Sequence, residues 1–245
     1  MTASASLDDL RAAVPRLAVL DDELDVAKGL ARGLSRKGFA VELIEPVTPE
    51  LDTTVEAIMG ISDAALCDHA LRGGLNVAFS GAQVVAALRD RGFPAVLFTG
   101  VRPEDQYEIR RNMARIPGFL HRDHEEGLTA ARVLDELGEA VEEVRDGRVP
   151  RRRRPRRTLV TVTGSRLSGN ETLVAVLISG WPHEGELEIP ADLLAPSWAE
   201  NPHDAVGRTF FAQVNIGEAD EDKLYFKDFE SEPADTTHFR GLAER

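Results

Sequence analysis

Short apolar runs that stop on chemically active side chains set the strongest limit on how this chain folds. Arg16-Leu17-Ala18-Val19-Leu20 stops on Asp21 and Asp22, Ala64-Ala65-Leu66-Cys67 stops on Asp68, and Ala95-Val96-Leu97-Phe98 stops on Thr99. Helical patterns lie between the runs, so they read as parallel strands of one βαβ sheet. In such a sheet the strand C-termini share one edge, and ligands bind there. The pattern therefore predicts three carboxylates and a hydroxyl in one acidic pocket, suited to a hard divalent cation and a phosphoryl group.

The same alternation continues to residue 144. A helix is expected from Leu24 to Lys37, with Leu24, Ala27, Leu30, Ala31 and Leu34 on one face and Gly38 ending it. Strand two is Ala40 to Ile44, and a weaker helix spans Pro49 to Met59. After Asp68 comes a loop, Arg72 to Phe79, with Gly73-Gly74 as a turn signal. Ser80 is placed to cap a helix that Gly92 ends. Pro103, Glu104 and Asp105 suit the first turn of the next helix. A short fifth strand, Phe119 to His121, precedes a last helix from Glu125 to Val144. Short apolar strands between helices imply a parallel sheet covered on both faces.

Charge divides the chain. Residues 1–144 carry 15 basic and 25 acidic side chains, residues 145–157 carry eight arginines and one aspartate, and residues 158–245 carry 6 basic and 16 acidic. Phosphate backbones need a basic face, so neither half reads as a nucleic-acid surface. The arginine run holds two prolines and repels itself, so residues 146–157 read as an extended, solvated linker. A basic arm for nucleic acid or a nuclear import receptor is the alternative, and a linker lying against one of the acidic surfaces on either side is also open. One cysteine permits no intrachain disulfide, no apolar run spans a bilayer, and the N-terminus lacks a signal-peptide pattern. The expectation is a cytoplasmic protein away from membranes.

Residues 158–231 change character. Thr158–Val162, Glu171–Ser179, Glu186–Ile189, Thr209–Val214 and Lys223–Phe229 are strand-like, with glycines between them. One short helix, Ala191 to Trp198, is broken by Pro196. This is expected to be a small all-β module, a barrel or a sandwich, followed by a flexible tail over 232–245. Trp181, Trp198, Phe210, Phe211, Tyr225, Phe226 and Phe229 read as its core, the rival reading being a stacking surface for single strands.

The carboxylates carry the chemistry. Mg²⁺ takes oxygen ligands, keeps waters, and relieves the repulsion among Asp21, Asp22 and Asp68. A carboxylate beside that ion can serve as a nucleophile and become an aspartyl-phosphate. Thr99 can donate a hydrogen bond to a phosphoryl oxygen, and a cation is expected at the next strand end, where His121-Arg122 lies. Taken singly, an acid after a strand is a solvated turn or a helix cap, and Asp22 or Glu23 can cap the following helix. Four such residues at successive strand ends favour the site. Cys67 reads as a small buried hydrophobe, and His121 and His124 as solvated residues rather than a metal pair. His69 is placed to shape access to Asp68.

These residues resemble a known family. Leu20-Asp21-Asp22-Glu23-Leu24-Asp25 resembles the acidic motif that opens response-regulator receiver domains, and Leu66-Cys67-Asp68-His69-Ala70-Leu71 the segment around their phosphoacceptor. Leu97-Phe98-Thr99-Gly100 resembles their switch-hydroxyl strand, and Gly118-Phe119-Leu120-His121-Arg122 the strand that carries their lysine. The resemblance covers about residues 16–145. It implies a flavodoxin-like, doubly wound five-stranded sheet, with Mg²⁺ on Asp21, Asp22, Asp68 and the backbone carbonyl of Ala70. It implies phosphoryl transfer from a sensor histidine kinase onto Asp68, after which Thr99 moves and Phe119 re-packs. Self-association as a homodimer is left open.

The departures are specific. Arg122 stands at the lysine position and is followed by Asp123 where a proline is usual, and Arg72 replaces the proline after the phosphoacceptor. Arginine and lysine are not interchangeable in a tight site. A degenerate receiver that docks another signalling protein without phosphoryl transfer is therefore the alternative. A Mg²⁺-dependent phosphohydrolase would need a general acid two residues after Asp68, where Ala70 stands. A DNA-binding regulator finds no helix-turn-helix pattern after residue 157.

Overall fold

The computed structural model describes residues 6–45, 49–71, 78–100, 103–122, 128–183, 185–194 and 201–231. The chain divides into two units, Met1–Pro150 and Arg151–Arg245.

The first unit opens with helix α1, Leu7–Ala13, which composition did not announce. A reciprocal capping box between Ser6 and Asp9 starts it, and its buried Leu10 joins the core. Then follow β1 (Arg16–Leu20), α2 (Leu24–Ser35), β2 (Ala40–Ile44), α3 (Leu51–Ile61), β3 (Ala64–Asp68), α4 (Gly81–Asp90), β4 (Ala95–Thr99), α5 (Pro103–Asn112), β5 (Gly118–His121) and α6 (Ala130–Asp146). The five strands form one sheet in the order β2-β1-β3-β4-β5, with all pairings parallel. This is the flavodoxin-like order, in which the strand order reverses between β1 and β3.

Both sheet faces are covered, so β3 and β4 are buried along their whole length. Leu30 and Leu34 of α2 and Val133, Leu137 and Val141 of α6 pack with Leu10, Leu17, Val19, Leu66, Val96, Phe98 and Leu120. On the other face α4 lies against β3 and β4, between α3 and α5. Only β2, at the edge, is mostly exposed.

Several local readings hold. Ser80 caps α4 in a capping box with Gln83, and Gly38 and Gly92 take left-handed conformations at φ 89° and 71° after their helices. The last helix differs: Thr129 caps it and Gly147 ends it at φ 66°, so it runs from Ala130 instead of Glu125. The turn at Arg72–Gly74, Asp123, His124 and Glu125 lie outside the described residues, as do the side chains of Pro103, Glu104 and Asp105.

The second unit is one antiparallel sheet in the order β10-β9-β6-β7-β8. Its strands are β6 (Arg156–Ser168), β7 (Glu171–Ile178), β8 (Leu187–Pro190), β9 (Thr209–Val214) and β10 (Phe226–Ser231). Among the described residues there is no second sheet, as a sandwich would need. The turn after β8 reaches β10 at the opposite edge, so the sheet curls over a core of Val160, Val162, Val174, Val176, Ile189, Phe210, Val214 and Phe226. Of the expected helix, Ala191–Leu193 form a 3-10 turn, and residues 195–200, with Pro196 and Trp198, lie outside the described residues. So does the tail over 232–245.

The arginine run differs most from its reading as an extended, solvated linker. Arg151–Arg153 form a 3-10 turn, and Arg153 is buried with its guanidinium 5.6 Å from the Tyr225 ring centre. Tyr225 donates its hydroxyl to the Arg153 carbonyl at 2.6 Å. Arg156 and Arg157 open the central strand, opposite Val214 and Gln213. The Arg157 guanidinium lies 3.6 Å from the Phe211 ring centre and donates to Glu230 at 2.9 Å. Aromatic faces and carboxylates offset the mutual repulsion of these cations, which charge counting alone treats as dominant. No helix among the described residues is long and apolar enough to cross a membrane.

Candidate functional site

Sheet register brings the predicted residues together. Leu20 pairs with Cys67 and Asp68 with Phe98, so Asp21, Asp68 and Thr99 emerge side by side at the C-terminal edge. Thr99 pairs with His121, which puts Arg122 one residue beyond. The hydrogen-bond ladder runs past the strand ends: the His69 N–H donates to the Phe98 carbonyl at 3.1 Å and the Arg122 N–H to the Thr99 carbonyl at 2.7 Å.

Asp21, Asp22 and Asp68 each present a carboxylate oxygen within 4.8 Å of the other two. Asp21 and Asp68 are both only 2% exposed. One oxygen of each is satisfied locally: Asp21 Oδ1 accepts from the Glu23 N–H at 2.7 Å, and Asp68 Oδ2 from the Ala70 N–H at 3.0 Å. The other two, Asp21 Oδ2 and Asp68 Oδ1, are buried with no hydrogen-bond partner among the described residues. Buried carboxylate oxygens without partners are costly, and a cation satisfies them.

The electrostatics follow from that burial. Desolvation and then the neighbouring charge of Asp21 push the Asp68 carboxyl up to about 7, against the opposing pull of Arg122 and the Ala70 N–H. Burial also raises Asp21. Burial works against the Arg122 charge, but Asp68, Glu23 and Asp21 outweigh it and hold the guanidinium protonated. Burial drives the Cys67 thiol up, which makes it a poor thiolate.

Three features were not read from the sequence. Arg122 donates through Nη2 to Glu23 Oε1 at 3.1 Å, so the cation in the lysine position is engaged by the residue after the acidic pair. Glu23 takes the position before α2, but its side chain makes no capping hydrogen bond. Second, buried His69 turns toward α5, with Nε2 4.0 Å from Glu108 Oε2, and Glu108 also accepts from the Ser80 hydroxyl. Third, Gly81 lets α4 begin directly against β3: a Cβ there would sit 1.8 Å from the Asp68 carbonyl oxygen. The sequence signal for the last was available, since Gly81 follows the capping Ser80.

In the second unit the described members of the expected aromatic core are buried or hold a specific contact. Phe210, Tyr225 and Phe226 are buried, Phe229 contacts both Phe210 and Phe226, and Trp181 donates its indole N–H to the Glu218 carbonyl at 2.8 Å.

No family model matches this sequence, and no curated protein matches it. Solved structures do match. A receiver domain protein from Clostridium thermocellum is 14% identical with a TM-score of 0.41, covering 54% of this chain and 98% of that one. A CheY-like receiver domain protein from Methanospirillum hungatei is 17% identical with a TM-score of 0.41, covering 55% and 99%. A response regulator from Thermotoga maritima, solved in complex with Mg²⁺ and BeF, is 18% identical with a TM-score of 0.37, covering 53% and 97%. The N-terminal half of this chain is similar in structure to response-regulator receiver domains.

Proposed function

We propose that this is a signalling protein of the two-component type, whose first unit accepts a phosphoryl group on Asp68 from a sensor histidine kinase and whose sheet module passes the signal on. One observation carries the reading. Asp68 Oδ1 is buried and unpartnered beside two further carboxylates, at the edge where a sheet of this order binds ligands.

The donor set fits Mg²⁺: hard oxygens from Asp21, Asp22 and Asp68, two of them otherwise unsatisfied, with the Ala70 carbonyl as a further ligand. When bound, the ion offsets negative charge on the carboxylates and on the incoming phosphoryl group. Asp68 supplies the attacking oxygen, and its bond to phosphorus forms as the bond from phosphorus to the donor breaks. Thr99 hydrogen-bonds a phosphoryl oxygen, and Arg122 supplies the positive charge. Phe119, now 2% exposed, is the ring that re-packs. The site acts as a phosphoacceptor rather than a turnover enzyme.

The Arg122–Glu23 pair favours a second reading, a docking module in which the cation stays committed to Glu23 and Asp68 is never phosphorylated. Intact mass after incubation with Mg²⁺ and acetyl phosphate separates the two. Gain of one phosphoryl mass, lost in Asp68→Asn, supports the acceptor. A folded protein that gains none supports the docking module.

A further inference from the structure

Between α2 and β2 lies a groove of about 590 Å³, lined by Lys28, Ala31, Arg32, Ser35, Arg36, Val41 and Leu43. We infer that this groove docks an extended acidic segment of a partner protein, which adds to the sheet as a strand beside β2. Two independent features meet here. The first is a sheet edge: among the described residues β2 pairs with β1 alone, which leaves its outer backbone groups for another strand. The second is a row of cations: Lys28, Arg32 and Arg36 are exposed and have no carboxylate partner among the described residues.

That row is unusual for this unit. Arg16, Arg91, Arg115 and Arg122 are each paired, with Asp63, Asp52, Asp90 and Glu23. Acidic side chains outnumber basic ones by 25 to 15 over residues 1–144, yet these three cations form no ion pair among the described residues. Cations beside an edge also deter self-pairing, but that role needs them on the strand, and these stand on the helix above it.

The spacing selects the occupant. Helix positions four apart are separated by about 6 Å along the axis, and alternate residues of a strand by about 6.7 Å. A strand laid beside β2 with acids at alternate positions therefore places a carboxylate near each of Lys28, Arg32 and Arg36. Ala31, Val41 and Leu43, the last 37% exposed, give the segment an apolar floor. A nucleic acid would gain the same cations but leave the backbone edge unused, whereas Glu42 alternates to the face of β2 opposite Val41 and Leu43, away from the groove. This inference does not depend on phosphorylation of Asp68.

The test uses the full chain and a fluorescent strand-length peptide alternating glutamate and valine. Its anisotropy should rise on binding and fall with salt. The K28A/R32A/R36A variant changes only exposed side chains, and its fold is checked by circular dichroism. It should bind about tenfold more weakly, on the scale of three exposed ion pairs. Amide exchange in β2 should slow when the peptide binds. Undiminished affinity in the variant, β2 amides that exchange at an unchanged rate in the complex, or preference for a single-stranded oligonucleotide over the peptide would each overturn the inference.

Discussion

Arg122 and Glu23, 99 residues apart in sequence, meet through one hydrogen bond of 3.1 Å at the rim of the carboxylate cluster. The pair draws the arginine outward while Asp68 and Asp21 hold it electrostatically. Glu23→Gln removes one claimant. The Asp68 carboxyl should then titrate lower, because more of the Arg122 charge serves it. Carboxyl carbon NMR of the metal-free protein reads this directly, and an unmoved or higher titration midpoint contradicts it.

Asp68 also makes stability depend on pH. Its folded value of about 7 lies above the ordinary aspartate value of about 3.9, so between these the folded chain holds a proton that the unfolded chain has released. Its contribution is complete below about pH 4 and is lost as pH rises through about 7, at most about 4 kcal/mol in all. Urea midpoints of the metal-free protein should fall more steeply over that range than those of Asp68→Asn. Millimolar Mg²⁺ should flatten the wild-type slope. Equal slopes in the two proteins would remove Asp68 as the cause.

Metal affinity should follow the carboxylates. Asp22→Asn should weaken Mg²⁺ binding by about tenfold, the scale on which ligand charge tunes hard-cation sites. Titration calorimetry measures it. Unchanged affinity in both Asp21→Asn and Asp22→Asn would rule out the cluster as the binding site.

Gly81 and Gly60 make a matched pair. A Cβ at Gly81 strikes the Asp68 carbonyl, whereas one at Gly60, exposed on α3, meets nothing within 4 Å. Gly81→Ala should cost at least about 2 kcal/mol through backbone displacement. Gly60→Ala should be neutral or stabilise by about 0.5 kcal/mol. Denaturant unfolding of both variants checks the contrast.

Replacing residues 151–157 with glycine and serine tests the arginine run. A spacer would leave both units unchanged. With Arg153 against Tyr225, Arg157 against Phe211, and Arg152 Nε 3.3 Å from the largely buried Glu218, the second unit should instead lose about 2 kcal/mol or more. The first unit should keep its stability. Unfolding followed by tryptophan fluorescence reports the second unit, which carries both tryptophans.

Legibility differed by the kind of information involved. The parallel sheet could be read because its three inner strands, β1, β3 and β4, are buried apolar runs that stop at polar residues, and burial leaves its mark along each of them. The convergence of Asp21, Asp22, Asp68 and Thr99 followed from topology alone. Glu23 as partner of Arg122 did not, because that contact depends on where two loops end. Helix α1 was missed because it buries mainly one side chain, Leu10, and leaves little periodicity. The arginine run was misread because composition records the charges and not the rings and carboxylates that receive them.

Beside the carboxylates the sheet's hydrogen bonding continues past the strand ends. His69 and Arg122 spend their N–H groups on the carbonyls of Phe98 and Thr99, so the two neighbouring loops are pinned to the sheet where they leave it. What remains adjustable is torsional. A β-branched side chain such as Thr99 occupies few rotamers, so its hydroxyl changes place by discrete jumps. If Thr99 hydrogen-bonds a phosphoryl group on Asp68, as proposed, partial phosphorylation should yield a mixture of two Thr99 rotamers instead of one intermediate shape.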